Sequence, residues 1–236
     1  MESQNIVGYN TITVRTGSTT AMGVQFENIG ESAGIPVKRL VTVGNPLGGT
    51  SAITSADQIW TYNGFTWTKY YYYKRGTTVK WCLAGSTTEI GDDVVLRPGQ
   101  SFFFVRSNAD PNESTTLTLS GGVVALASKP SYSVAAGSTT AMAWPWPEAM
   151  KIKDFNNYNP DPIGGTSAIT SVDQIWTYNG FTWTKYYFYK RGTTVKWCLA
   201  GSTTEIGDDV TVAAGSAFFF VRSNAASGAT TIAFER

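Results

Sequence analysis

Histidine is absent from this chain of 236 residues, and leucine occurs only 8 times. Without histidine, the chain lacks the usual general base, the partner of a catalytic serine or cysteine, and a common zinc ligand. Charged residues make up 15% of the sequence, below the roughly 25% of an average soluble domain, and the net charge is +1. We therefore expect a protein that is not an enzyme and that binds no cofactor, metal or nucleic acid.

Long apolar runs are also missing. No run approaches the roughly 18 residues that a membrane-spanning helix needs, so we expect no membrane span. Residues 1–4, Met-Glu-Ser-Gln, lack the basic and apolar regions that open a signal peptide. On this evidence the protein is either cytosolic or exported with its signal already removed.

The residues that are abundant favour strands. Threonine occurs 32 times and aromatic residues reach 14%, a composition typical of an all-β fold. The chain also contains an internal repeat, because residues 48–108 recur as 164–224. Between residues 57–94 and 173–210 the only difference is Tyr72, which is Phe188 in the second copy. We predict two tandem, near-identical β-sandwich-like domains, 1–121 and 122–236. Two interpretations remain open: a recent duplication with no function attached, or two copies of one surface needed for bivalent binding or lattice contacts.

The clearest local signal is a hairpin at residues 59–68, where Asn63-Gly64 stands between alternating apolar residues. Asn-Gly favours a two-residue loop, which would place Tyr62 opposite Phe65 and Trp60 opposite Trp67. One face of the hairpin would then be aromatic, and we expect that face to be the core rather than an open ligand platform.

The other face of the same hairpin carries threonine and tyrosine, and we expect it to be solvated. On this stripe Tyr70, Tyr72 and, in the second copy, Tyr186 are candidate contacts with a partner or a glycan; ordinary solvated sheet is the alternative. Trp144 and Trp146, in a Trp-Pro-Trp-Pro segment found only in the second copy, are further glycan candidates. The alternative for these two tryptophans is that they cover the end of a core or the contact between the domains.

Other reactive groups are few. Cys82 and Cys198 occupy equivalent strand positions, one in each copy, and we expect buried free thiols. The acidic residues Glu89, Asp92 and Asp93 lie in a predicted loop that recurs in the second copy. Two interpretations of this loop remain open: calcium binding and a solvated turn.

Three segments together resemble a known group of proteins: the opening Asn-Ile-Val-Gly-Tyr (5–9), the Gln-Ile-Trp-Thr-Tyr-Asn-Gly hairpin (58–64), and Pro-Gly-Gln-Ser-Phe-Phe-Phe-Val-Arg (98–106). The group consists of secreted β-rich proteins, mostly uncharacterised, of verrucomicrobial and lentisphaeral bacteria. The second copy lacks the opening segment. The resemblance implies export to the cell surface or beyond, and it implies no catalytic residues.

Two functional hypotheses follow. The first is a non-enzymatic extracellular structural protein that self-assembles as the subunit of a surface layer, matrix or filament through sheet-edge contacts. Its candidate assembly strand is residues 5–14, with Ile6, Val7, Tyr9, Ile12 and Val14. The alternative is a bivalent glycan-binding or adhesive module, whose partner would be a polysaccharide.

Overall fold

The fold of the chain is nearly all β, as the composition predicts. The computed structural model describes residues 7–27, 34–43, 47–108, 114–123, 130–165 and 169–234. The strands of the first unit are β1 (Val7–Arg15), β2 (Thr19–Gly23), β3 (Phe26–Glu27), β4 (Ile35–Pro36), β5 (Val41–Val43), β6 (Gln58–Tyr62), β7 (Trp67–Arg75), β8 (Thr78–Leu83), β9 (Val95–Leu96), β10 (Ser101–Val105) and β11 (Ser114–Val123). The strands of the second unit are β12 (Ser131–Val134), β13 (Thr139–Ala143), β14 (Met150–Lys151), β15 (Gln174–Tyr178), β16 (Trp183–Arg191), β17 (Thr194–Leu199), β18 (Thr211–Val212), β19 (Ala217–Val221) and β20 (Thr230–Ala233). The described helices are short 3-10 turns at Val37–Arg39, Ile53–Ser55, Ile152–Asn157 and Ile169–Ser171.

Each unit contains a five-stranded antiparallel sheet with the same strand order. In the first unit the order is β2-β10-β6-β7-β8, and in the second it is β13-β19-β15-β16-β17. A second layer packs on one face of each sheet. In the first unit β11 pairs with β1, β3 and β5, whereas in the second the layer is the pair β12-β20. Two tandem β-sandwich-like units are therefore confirmed, and β11 extends two residues past the predicted boundary at 121.

The core of each unit lies between its two layers. In the first unit Ile59, Phe102 and Phe104 of the five-stranded sheet meet Leu117 and Leu119 of β11, and all five are essentially inaccessible to solvent. The alternation of β10 sends Phe102 and Phe104 to this core and Phe103 to the opposite face, where that ring is also buried. This strand is therefore covered on both faces.

The hairpin between β6 and β7 has a longer loop than predicted. Tyr62 pairs with Trp67, not with Phe65, so four residues make the turn. The Asn63 side-chain oxygen accepts the backbone N–H groups of Phe65 (3.0 Å) and Thr66 (2.8 Å), and Gly64 has a φ of 98°. A two-residue type I′ turn would need positive φ at Asn63 as well, and Asn63 does not adopt it. The side chain of Asn63 thus closes a wider turn.

The predicted roles of the two hairpin faces are reversed. Tyr70 and Tyr72 lie on the same face as Ile59, pack against the core of the first unit, and are partly buried. Tyr186 occupies the equivalent place against the second core. The expectation that the threonine and tyrosine face is the exposed contact surface is therefore wrong. The second layer covers this face, and the aromatic face points out of the sandwich.

The N-terminal strand belongs to its own unit. β1 pairs with β11 at nine successive positions, starting at Val7. Val14 is fully buried, Ile12 packs against the core, and Tyr9 is 76% exposed. Ile6 lies outside the described residues. To donate this strand to another copy, the molecule would have to break nine pairs and expose Val14, so donation of residues 5–14 is disfavoured.

A buried ion pair, which no local sequence pattern predicts, joins the start of β6 to the end of β10. The Asp57 carboxylate contacts the Arg106 guanidinium and accepts the backbone N–H groups of Gly48 (2.7 Å) and Ser107 (2.8 Å). In the second unit Asp173 pairs with Arg222 at 2.7 Å. The only sequence signal is that both residues recur in the second copy. Because buried charges must be paired and hydrogen-bonded, this contact ties two loops to the sheet.

Candidate functional site

The outward aromatic faces of the two hairpins meet each other. We call this contact the aromatic seam. It is formed by one set of rings from each unit: Trp60, Tyr62, Trp67 and Phe103, with their counterparts Trp176, Tyr178, Trp183 and Phe219. The expectation that this face is the core is wrong: it packs against the other unit, and Trp67 and Trp183 remain 40% and 39% exposed.

Ring distances across the seam follow a pseudo-twofold symmetry. The ring centroids of Trp67 and Phe219 are 6.2 Å apart, and those of Trp183 and Phe103 are 6.3 Å apart. Phe103 and Phe219 face each other at 6.2 Å, which places them beside the axis. Centroid separations of this size are typical of favourable edge and offset contacts. The two copies of one surface therefore form an internal dimer.

Backbone hydrogen bonds close the seam at a second place with the same symmetry. The Gly23 N–H donates to the Gly215 carbonyl at 2.7 Å, and the Ala143 N–H donates to the Gly99 carbonyl at 2.7 Å. Gly99 and Gly215 lie in turns with φ of 81° and 69°, a positive φ that glycine adopts without strain. A Cβ on Gly23 would lie 2.5 Å from the Ala143 Cβ, so the backbones approach too closely for a side chain there.

Polar side chains add contacts between the two units that do not follow the pseudo-twofold symmetry. The Gln25 amide donates to the Trp146 carbonyl at 3.0 Å, and the Tyr132 hydroxyl donates to the Gly99 carbonyl. Burial raises the pKa of Tyr132, so this hydroxyl stays protonated. Both contacts cross between the units and therefore fix their relative orientation.

A surface pocket opens in the seam. Its volume is about 250 Å³, and it is lined by Tyr62 and Trp67 of the first unit and by Thr139, Trp176, Trp183 and Phe219 of the second. Trp67 and Trp183 are 40% and 39% exposed, so their rings remain accessible from solvent. Neither unit alone supplies this lining.

Hydrogen bonds and lysines hold the tryptophans beside the pocket. The indole N–H of Trp176 donates to the Gln174 side chain at 2.9 Å, and the Lys185 ammonium lies 3.9 Å from the Trp176 ring centroid. The same arrangement recurs at Trp60, where Lys69 lies 3.9 Å from the ring centroid. A cation at this distance over an indole face is a favourable interaction that restricts the ring.

Trp144 and Trp146 do not form an accessible surface. Both indoles are 3% exposed and belong to the core of the second unit. Trp144 packs against Tyr158 and Phe234, and the Trp146 N–H donates to the Phe234 carbonyl at 3.2 Å. The structure therefore shows the alternative: these tryptophans cover a core and the contact between the units. Neither ring can stack on a sugar without unfolding the segment.

The other candidate groups show no ligand geometry. Cys82 and Cys198 are buried free thiols, as predicted, and burial raises the pKa of both. Asp92 lies 2.9 Å from the Lys38 ammonium, which already supplies a counter-charge to this carboxylate. Over the described part of the chain, no group of three or more cysteine, aspartate or glutamate side chains is placed to hold a metal ion.

The helices of the described ranges are too short or too polar to span a bilayer. Comparisons of this chain with protein-family models, with curated proteins and with solved structures find no match.

Proposed function

We propose that this chain is a non-enzymatic structural protein that self-assembles through its sheet edges, as the subunit of an extracellular surface layer, matrix or filament. The supporting observation is the symmetry of the two units. Near β2 and β13 the two units form backbone bridges with each other (Met22 with Ser216, Gln100 with Met142), whereas within the described strands β8 pairs only with β7 and β17 only with β16. A subunit with two equivalent free edges can pair twice and therefore extend into a chain.

The free edges carry exposed apolar side chains. Val79 and Leu83 of β8 are 49% and 44% exposed, and Val195 and Leu199 of β17 are 52% and 44% exposed. The loop after each strand covers only its C-terminal half, because Ile90 donates its N–H to the Trp81 carbonyl and Ile206 to the Trp197 carbonyl. Within the part of the chain that the structure describes, no second strand pairs with the N-terminal half of either edge strand.

The charge of the chain permits this association. With a net charge of +1, copies of the chain repel each other weakly. The location outside the cell is supported by the resemblance of the opening, hairpin and Pro-Gly segments to secreted bacterial proteins.

The proposal is tested by electron microscopy and light scattering of the full chain over a wide concentration range. We expect regular fibres or sheets from the unmodified protein. The double variant Val79→Lys and Val195→Lys should remain monomeric, because a charge on a free edge strand blocks pairing. The control is the double variant Phe65→Ser and Phe181→Ser at the hairpin tips, where the rings are 85% and 83% exposed. This control should assemble normally.

Two outcomes would contradict the proposal. One is a monodisperse monomer at every concentration of the unmodified chain. The other is assembly that survives the edge lysines but fails in the hairpin-tip control, which would assign association to the tips. Deletion of the N-terminal strand is a poorer test, because it would also remove Val14 from the core.

A further inference from the structure

The pocket in the aromatic seam has a lining that selects for one kind of ligand. Five of its six lining residues are aromatic, and the sixth, Thr139, supplies a hydroxyl. Among the described residues, no charged side chain lines the pocket. Burying an ionised ligand group here would leave that charge without a partner, which is costly. The ligand that fits is uncharged and has both an apolar face and hydroxyl groups.

A cationic ligand is the main competitor, since clusters of aromatic rings also bind quaternary ammonium groups. The position of Lys185 argues against this ligand. Its ammonium already lies 3.9 Å from the centroid of Trp176, a ring that lines the pocket. A second cation at this ring would meet the positive charge of Lys185, and the two would repel each other. The lysine therefore disfavours a cationic ligand.

The rings are held in place before any ligand arrives. The Tyr62 hydroxyl donates to the Gly64 carbonyl at 2.9 Å, and the Trp176 indole donates to the Gln174 side chain at 2.9 Å. Tyr62 also packs against Trp67 at a centroid distance of 4.8 Å. Rings that are already ordered lose little conformational entropy when a ligand stacks on them. The exposure of Trp67 and Trp183, 40% and 39%, leaves stacking surface available.

From these contacts we propose that the seam pocket binds a single sugar ring of an uncharged polysaccharide. The C–H groups of one pyranose face carry a partial positive charge and pack against the negative faces of the aromatic rings. Ring hydroxyls at the rim exchange hydrogen bonds with Thr139. A volume of about 250 Å³ suits one ring of a longer chain. The pocket needs both units, so the duplication creates a site that a single unit lacks.

The test is a titration of the full chain with cellohexaose, maltohexaose and fully N-acetylated chitohexaose, monitored by tryptophan fluorescence and calorimetry, with choline chloride as the cationic probe. We expect saturable binding of at least one hexaose, because three tryptophans line the pocket. Thr139→Arg should abolish binding by filling the pocket. Thr139→Val keeps the shape of the side chain and removes its hydroxyl, so it should weaken binding roughly 2- to 10-fold.

The control is the double variant Phe65→Ala and Phe181→Ala, whose rings are exposed but do not line the pocket. It should bind as well as the unmodified chain. Choline binding without hexaose binding, hexaose binding unchanged by Thr139→Arg, or no binding of any hexaose would each overturn the proposal. Circular dichroism of each variant distinguishes a blocked pocket from a failure to fold.

Discussion

The two units share their five-stranded sheets and differ in the layer that covers them. The sequence from 57 to 94, which returns with one change at 173–210, forms β6, β7 and β8 in the first unit and β15, β16 and β17 in the second. In the first unit the covering layer pairs four described strands and is mainly aliphatic. In the second it has the pair β12-β20 and large aromatic rings, including Trp144, Trp146, Phe155 and Phe234.

This difference shows that one sheet face can be covered in two ways. Val24, Phe26 and Leu119 of the first unit correspond to Trp144, Trp146 and Phe234 of the second. Larger rings fill the volume that additional strands fill in the first unit, which keeps both cores closely packed. The copies are nearly identical where the sheet meets the seam and the free edge, and they differ where each unit is covered by its own chain.

The largest effect is expected from shrinking a ring in the second core. Trp144→Ala should lower the free energy of unfolding by about 3–5 kcal/mol, because it leaves a cavity in a packed core. The matched variant Val24→Ala removes far less buried volume and should cost about 1–2 kcal/mol, since each buried methylene contributes about 0.8 kcal/mol. Denaturant unfolding measures both. Equal losses at the two positions would contradict the difference that we draw between the two cores.

A smaller effect is expected at the seam. Gly23→Ala should cost about 1–3 kcal/mol, because the new methyl would lie 2.5 Å from the Ala143 Cβ and 2.9 Å from the Gly215 carbonyl oxygen. Hydrogen exchange should speed up at the Gly23 and Ala143 amides, which bond across the seam, and stay slow in both cores. The control Ala143→Gly should leave the seam closed. In the double variant Gly23→Ala and Ala143→Gly, part of the lost free energy of unfolding should be recovered. Unchanged exchange at both amides after Gly23→Ala would contradict the tight contact.

The smallest effect is expected at the exposed carboxylate of Asp208. Hydrogen bonds from Lys151 and Lys153 lower the pKa of Asp208 from 3.8 to about 2. A carboxyl group with a lowered folded pKa stabilises the fold above its unfolded pKa and loses that contribution as the pH falls through its folded value. Unfolding of Asp208→Asn and of the unmodified chain should therefore differ at neutral pH and converge between about pH 4 and pH 2. Parallel curves down to pH 2 would contradict this prediction.

The hairpin shows how far local sequence patterns reach. Its position, its alternation and the glycine turn were predictable, because they depend on neighbouring residues. The loop length was not predictable from this pattern. The Asn63 side chain accepts the N–H groups of Phe65 and Thr66 and so closes a wider turn than the two-residue one. The shift in pairing is two residues, so the composition of each face is unchanged.

The candidate site itself was only half predictable. Trp60, Tyr62 and Trp67 were recognisable as one aromatic face, but nothing local indicates that Phe219 of the other copy completes it. Trp144 and Trp146 were singled out because they look unusual in the sequence, and the structure buries both. A motif that one copy has and the other lacks can thus replace core volume and need not be a binding surface.

Residue type and a period of two act over a few neighbours, and they specify the all-β class, the main strands and the places where glycine turns the chain. The two copies are equally plain in the amino-acid order. Tertiary contacts settle which face of the hairpin is the core and which builds the seam. Both faces are apolar enough to be buried, and the choice depends on surfaces that lie far away in the chain, including the covering layer and the second unit.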